Sequence, residues 1–309
     1  MQIHGLHHVT AVTAQAGRNL HFYTQVLGLR LVKKTVNQDD VSAYHLFYAD
    51  KLGSPGTDMT FFDWPQAGVR QGETDGILRT LFRVSSVEAL QFWAERFTKL
   101  EVSHGEILAM GAHQVLLFED FEGQRLGLVC DDADFSGEVW EVDDIPVEHA
   151  LHGFFGVQLA VPELLMLHTI FTKVLEFVPA ESFQLEGEKV HVYTVGGNQV
   201  QVIERQGRPL RAFAGGVHHV AFRIDNPAAL AEWEQFLAQV RLGSSGLVER
   251  FYFTSLYFRV SDGILFELAT DGPGFAADES AEHLGEALSL PPFLEHRRAE
   301  IEAGLKPLE

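Results

Sequence analysis

A chain of 309 residues that is 46% hydrophobic and carries 24 phenylalanines can bury a large core, and its length fits two domains. A formal charge of −20 argues against nucleic acid as a partner, because an anionic surface cannot replace the counterions of a phosphate backbone. The single cysteine, Cys130, excludes an intramolecular disulfide, no apolar run approaches a membrane span, and the first residues lack the basic start and apolar core of a signal peptide, so a soluble cytoplasmic protein is expected.

In chain order, the sequence presents one pattern four times: a short alternating strand, an aromatic-rich amphipathic helix, then further short strands. The first unit, about 1–65, opens on "GLHHVTA" (5–11), continues through "FYTQVLGLRLV" (22–32) and ends with "AYHLFYAD" and "MTFFDW". The second, 76–132, carries "LRTLFRVSSVEALQFWAERF" (78–97), "QVLLFED" and "RLGLVCD". Residues 133–149 lie in an acidic, turn-rich stretch that reads as a linker. The third unit, 150–206, repeats the first helix pattern as "IFTKVLEFVPA" (170–180), with strands "VHVYTVG" and "QVQVIER". The fourth, 215–271, opens on "GVHHVAFRIDNPAALAEWEQFL" (216–237) and closes with "FYFTSLYFRV" and "ILFELAT". The expected architecture is therefore α+β, with four βαβββ modules forming two curled mixed-sheet domains: an N-terminal pair over 1–132 and a C-terminal pair over 150–271. A tail, 272–309, begins with the breakers "DGPGF" and carries "PPFLEHRRAEIEAGL", whose prolines precede an expected terminal helix capping the fold.

The repeated histidine pair carries the chemistry. Neighbours on a strand point to opposite faces, so one histidine of each pair should face a cleft. In the fourth unit His218 falls on the apolar row of Val220, Phe222 and Ile224, whereas His219 shares the other row with Ala221 and Arg223. In the first unit His8 lies with Thr10, and His7 with Val9 and Ala11. His8 and His219 therefore take equivalent cleft-facing positions. In "ILFELAT" the buried row of Ile264, Phe266 and Leu268 leaves Glu267 facing the same way. A carboxylate in so apolar a strand needs a positive partner, and two imidazoles with one carboxylate suit a divalent metal. If units one and four pack about a two-fold axis, a fourth corner falls in "MTFFDW", at Phe61 or Phe62 rather than Asp63. Such a trio with open positions is the facial arrangement of non-haem iron(II), and a three-ligand zinc site reads the same from sequence. His152 with Glu204, and His104, His113, His168 and His191, read as structural residues.

At these residues the chain resembles the vicinal oxygen chelate (glyoxalase/bleomycin resistance/extradiol dioxygenase) superfamily, and within it the ring-cleaving dioxygenases of the hydroquinone type. "GLHHVT", "FYTQVLGLRLVKKTVNQDD", "HHVAF", "ERFYFTSLYFR" and "ILFELATDGPGF" carry the resemblance, which covers nearly the whole chain. It implies a glyoxalase-like fold and an enzyme that opens a para-dihydroxylated aromatic ring with dioxygen, using iron(II), with manganese(II) as the alternative. It also implies His8, His219 and Glu267 as metal ligands, and His7, Thr10, His218, Arg250 and Tyr257 as catalytic residues around them. Tyr257 shares its row on "TSLYFRV" with Arg259, so both are expected to face the cleft. A small aromatic and O2 are the implied partners, and self-association into a homo-oligomer is common among such proteins. Two rival readings fit the same residues less well: a glyoxalase-like isomerase or lyase that consumes no oxygen, and a metal-free protein that sequesters an aromatic or antibiotic.

Overall fold

The computed structural model describes residues 1–133 and 135–308. The first module comprises β1 (Leu6–Thr13), α1 (Ala16–His21), β2 (Arg30–Asn37), β3 (Asp40–Ala49) and β4 (Asp58–Asp63). The second comprises β5 (Gly76–Val84), α2 (Val87–Lys99), β6 (His104–Met110), β7 (His113–Glu119) and β8 (Arg125–Cys130). The third runs through β9 (Phe154–Val161), α3 (Leu164–Thr169), β10 (Val178–Leu185), β11 (Glu188–Val195) and β12 (Asn198–Glu204). The fourth runs through β13 (Gly216–Ile224), α4 (Pro227–Gln239), β14 (Ser244–Glu249), β15 (Thr254–Ser261) and β16 (Ile264–Thr270).

The helices record the duplication of the chain. In modules one and three the helix widens into a π-helical turn, Phe22–Val26 and Ile170–Val174, that buries Phe22, Tyr23 and Phe171. In modules two and four the helix is regular and capped. The side chain of Ser86 accepts from the Ala89 N–H, and that of Asn226 from the Ala229 N–H, satisfying one orphan donor at each start. Each capped helix then buries one stripe at helical spacing: Leu90, Trp93 and Phe97 in α2, and Leu230, Trp233 and Leu237 in α4. These stripes join Val9, Phe61, Phe82, Phe154, Phe222 and Phe266 in one core that spans both sheets.

The modules pair across the duplication. One eight-stranded mixed sheet has the order β14-β15-β16-β13-β1-β4-β3-β2, and the other β10-β11-β12-β9-β5-β8-β7-β6. Modules one and four thus share a sheet, as do two and three, so each expected half, 1–132 and 150–271, gives one module to each sheet. Antiparallel pairing of β1 with β13 brings the two histidine pairs together at the centre of the first sheet.

The tail lies along β2. Ser289 donates its N–H to the Lys34 carbonyl at 2.9 Å, and Leu290, Leu294 and Ile301 pack on Val36. The terminal helix expected in "EHRRAEIEAGL" is α5 (Arg298–Gly304). Lys33 is fully buried, with its ammonium donating to Asp278 at 2.7 Å and to Glu279.

A candidate metal centre between the first and fourth modules

The register of the first sheet fixes the site. His8 pairs with Ala221 and Thr10 with His219 across β1 and β13, and Ala221 pairs with Glu267 across β13 and β16. Three ligand-type atoms converge there: Oε2 of Glu267 lies 3.2 Å from Nε2 of His8 and 3.0 Å from Nε2 of His219, and the two Nε2 atoms are 3.4 Å apart. All three side chains are buried, and Glu267 is entirely so. Oε2 of Glu267 is a buried oxygen without a hydrogen-bond partner among the described residues, which is a costly arrangement unless a cation completes it. Metal bonds of about 2.0–2.2 Å separate neighbouring ligand atoms by about 3 Å at right angles and about 3.4 Å at tetrahedral angles, so the observed triangle has the size of a metal-binding face. The trio is the one such His/Cys/Asp/Glu group among the described residues.

Electrostatics favour the ligand protonation states. Burial alone would raise the Glu267 carboxyl, yet the His8 and His219 rings beside it hold it well below the usual carboxylate range. Burial lowers the His219 imidazole despite Glu267. Glu267 is therefore an anion, the form in which a carboxylate binds a metal ion.

Strand parity misplaces the partner histidines. It puts His7 and His218 on the faces away from the cleft, but the register slips between Leu6 and His8 and again between Thr10 and Ala11, so each partner occupies a bulge. A bulge re-aims its side chain. As a result Nδ1 of His7 lies 2.9 Å from Nδ1 of His8, and Nδ1 of His218 lies 2.8 Å from Nδ1 of His219. Instead of joining an apolar row, His218 sits edge-on to Phe62 and Trp64. Burial first, and then the adjacent histidine, push both His7 and His218 down to about 3.

His8 and His219 of the trio line a small cavity of about 40 Å³. Its wall includes His45, Phe47, Phe62, Arg250, Phe253 and Tyr257. Tyr257 stands edge-on to His219 with ring centroids 5.6 Å apart. Its hydroxyl accepts from Nε of Arg250 at 3.3 Å, and burial raises its pKa, so it keeps its proton. Arg250 also donates to Asp39 at 3.0 Å. Phe253 packs on both His7 and His8. Thr10 is fully buried and is bonded to Thr60 at 2.9 Å. One expectation fails: Arg259 turns outward, where it is exposed and donates to the Asp262 carbonyl.

Residues 5–126 match the glyoxalase/bleomycin resistance protein/dioxygenase superfamily. Over its full length the chain is 43% identical to a Bacillus subtilis protein named "Putative ring-cleaving dioxygenase MhqA", all of which is covered. The chain belongs to the glyoxalase/bleomycin resistance protein/dioxygenase superfamily. It is also 30% identical, over 97% of its length and 95% of the relative's, to a Sphingobium indicum chlorohydroquinone/hydroquinone 1,2-dioxygenase. The crystal structure of a Bacillus subtilis protein described as a "putative dioxygenase" superposes with a TM-score of 0.89 at 33% identity, covering 100% of this chain and 98% of the other.

The second sheet of this superfamily member repeats the register without the ligands. Arg79 pairs with Gln158, Leu81 with Gly156 and Gln158 with Gln201, so Arg79, Gly156 and Gln201 stand where His8, His219 and Glu267 stand in the first. At Gly156 even a methyl group is excluded, because its carbon would lie 2.1 Å from the Gln199 carbonyl oxygen. The roomier cleft there is lined by arginines already paired with acids, Arg79 with Glu186 and Arg205 with Glu188. His152 stacks on Phe135 while Glu204 accepts from the Leu164 N–H, so these two have structural contacts of their own.

The same symmetry identifies what the sequence reading missed. Thr10 pairs with Thr60 as Ala221 pairs with Glu267. The fourth corner is therefore Thr60. Phe61 lies in the core against Tyr23, and Phe62 is displaced by two residues to the cavity wall. Behind the two corners, Phe62 pairs with His45 on β3 as Ala269 pairs with Ser255 on β15. Ser255 donates to Oε1 of Glu267 at 2.5 Å, and His45 makes the matching contact, Nε2 to Oγ1 of Thr60, at 3.0 Å. The repeated "HH" points to neither residue; only the register does.

Proposed function

We propose that this chain is a non-haem iron(II) dioxygenase that opens the ring of a hydroquinone-type aromatic with O2, with His8, His219 and Glu267 as the metal ligands and manganese(II) as the alternative ion. The observation that carries the reading is the buried, unpartnered Oε2 of Glu267 facing two imidazole nitrogens at the floor of an aromatic-walled cavity. The names of the relatives support the reaction class.

A divalent metal held by His8, His219 and Glu267 would supply the positive charge and the open coordination positions that ring opening with O2 needs. The protein's own groups do the rest. Because Nε2 of His8 and of His219 face the metal position, the proton of each ring sits on Nδ1 and is donated to Nδ1 of His7 or His218, which fixes the ring planes. Ser255 fixes the carboxylate in the same way. Tyr257, protonated and held by Arg250, offers the cavity a hydroxyl donor that can pass a proton to oxygen on the substrate. The Arg250 guanidinium steadies anionic charge at the cavity wall. Phe47, Phe62 and Phe253 exclude water and accept a flat ring. Thr10 acts at one remove, through Thr60. Among the described residues no helix is long and apolar enough to cross a membrane; a cytoplasmic location and a homo-oligomeric assembly belong to the same proposal.

The test is anaerobic loading with iron(II), followed by oxygen-electrode assays with hydroquinone, methylhydroquinone and catechol. Oxygen uptake with the para-diols supports the reading. Uptake with catechol alone overturns the substrate class, and metal binding with no uptake on any ring diol overturns the reaction in favour of an isomerase or lyase.

A further inference from the structure

His45 lines the cavity and has no part in the proposed mechanism. It stands on β3, its ring between Phe47 at 4.0 Å and Phe62 at 4.5 Å between centroids. The hydroxyl of Thr60 donates to Oγ1 of Thr10 at 2.9 Å. With the single Thr60 proton directed to Thr10, the 3.0 Å contact between Nε2 of His45 and Thr60 is satisfied by the imidazole as donor. In that arrangement the ring proton lies on Nε2 and Nδ1 is a bare acceptor. Among the described residues nothing hydrogen-bonds Nδ1, and it is absent from the buried unpartnered atoms, so it meets open space in a residue that lines the cavity.

The other polar groups of that wall differ. Arg250 is committed to Asp39 and Tyr257, and both it and Tyr257 are donors toward the cavity. Gln38 donates to the Arg250 carbonyl, and Asn37 accepts from the Asp39 N–H. Thr35 has an unpartnered hydroxyl, but its oxygen is sealed from the cavity's open space. A ligand that brought only acceptors would be met by Arg250 and Tyr257. A ligand that brings a neutral hydroxyl needs an acceptor, and Nδ1 of His45 is placed to be one.

We propose that His45 is a specificity-determining residue whose Nδ1 accepts a hydrogen bond from the ring hydroxyl remote from His8, His219 and Glu267, so that the site selects aromatics carrying a second hydroxyl at their far end. The pseudo-symmetry gives this its logic: the corner that holds Glu267 is backed by Ser255, whereas the corner that holds Thr60 needs no carboxylate support, and its backing residue is free to face the ligand. The inference deepens the dioxygenase reading and rests on it for the class of ligand.

The test compares two ligands of similar size, hydroquinone and 4-fluorophenol, which lacks the distal donor. Their dissociation constants are measured anaerobically by titration calorimetry on the full-length iron(II)-loaded enzyme. The wild-type chain is expected to prefer hydroquinone by about tenfold, the worth of one hydrogen bond whose loss leaves a desolvated group unpaired. In His45→Phe the two ligands should bind within about twofold of each other. His45→Asn, whose Oδ1 takes the place of Nδ1, should restore most of the preference, and Thr35→Val should leave it intact. Nitrogen-15 shifts of the zinc-loaded protein should report the Nε2–H tautomer of His45. No preference in the wild type, an Nδ1–H tautomer of His45, a preference unchanged in His45→Phe, or one lost in Thr35→Val overturns the proposal. Circular dichroism establishes that each variant is folded, and His45→Leu, which likewise lacks an acceptor and should likewise lose the preference, takes the place of His45→Phe if that variant is not. Oxygen uptake by the wild type is scored separately, so a failure of the catalytic reading leaves the binding comparison to judge His45 alone.

Discussion

Removing the Ser255 hydroxyl tests whether Glu267 is a prepared ligand. In Ser255→Ala the oxygen Oε1 loses its 2.5 Å donor in a position with no exposure to water, while Oε2 still faces the two imidazoles. A hydrogen bond to a charged group is worth about 1.5–3 kcal/mol, and a buried carboxylate oxygen left bare costs about that much. The metal-free variant can relieve the cost by rotating the carboxylate or by taking up a proton, and either takes Oε2 away from its place beside the Nε2 atoms. Metal must then reverse that change on binding, so the cost surfaces as lost affinity of about tenfold to a hundredfold, the range typical of groups that hold metal ligands from behind. Chelator-competition titrations with iron(II) under nitrogen, and with zinc(II) in air, measure it directly. Ser255→Thr keeps the hydroxyl and should keep the affinity. Equal metal affinity in the alanine variant and the wild type, with both folded, would refute the claim that Ser255 sets the carboxylate.

Three further outcomes are expected. His219→Ala should lose bound metal, read by elemental analysis after dialysis, while its far-ultraviolet circular dichroism stays that of the parent; retained metal sinks the ligand assignment. Lys33→Met leaves Asp278 and Glu279 facing each other without their cation, and loss of one member of a buried pair costs about 3 kcal/mol. The melting temperature should fall and the tail after residue 272 should become protease-sensitive, whereas an unchanged melt and a resistant tail would show that the ion cluster does not anchor it. For pH, the folded pKa of His7 and His218 lies near 3, below the ordinary 6.5 of the unfolded chain, so between those values the unfolded state binds more protons. Stability is then complete above about pH 6.5 and falls as pH drops, by about 1.4 kcal/mol per unit for each histidine. Melts of the metal-free chain from pH 7 to pH 5 should show this fall, and the double variant His7→Asn, His218→Asn should make it shallower, the buried His45 and His219 keeping part of it; parallel profiles would overturn the assignment.

Much of the fold was legible because period-2 and helical patterns recur four times in the same order, and a repeat constrains itself. The convergence of His8, His219 and Glu267 followed from the same source: equivalent positions on equivalent strands must meet if modules one and four pair. Parity failed where the backbone leaves the regular strand. His7 and His218 sit at bulges, and a bulge is a property of pairing between two strands distant in sequence, so one strand's alternation cannot reveal it. Thr60 was missed for a related reason. Locating the fourth corner requires the residue-by-residue register of β1 against β4, and "MTFFDW" offers its aromatics more conspicuously than its threonine.

The site owes its chemistry to departures from the symmetry that builds it. Equivalent corners hold Glu267 and Thr60, equivalent backing positions hold Ser255 and His45, and Tyr257, which pairs with Glu267, has Phe47, which pairs with Thr60, as its counterpart. The carboxylate, its hydroxyl support and the tyrosine donor all fall on the fourth module, while the apolar ring, the neutral corner and the free imidazole fall on the first. A symmetric site with two carboxylates would fill another coordination position and add a second buried charge to be neutralised. With threonine there instead, one side of the cavity can bind a metal and the other can receive a ring. The second sheet shows the alternative outcome, since losing all three ligand positions to Arg79, Gly156 and Gln201 leaves the same backbone with no place for a metal.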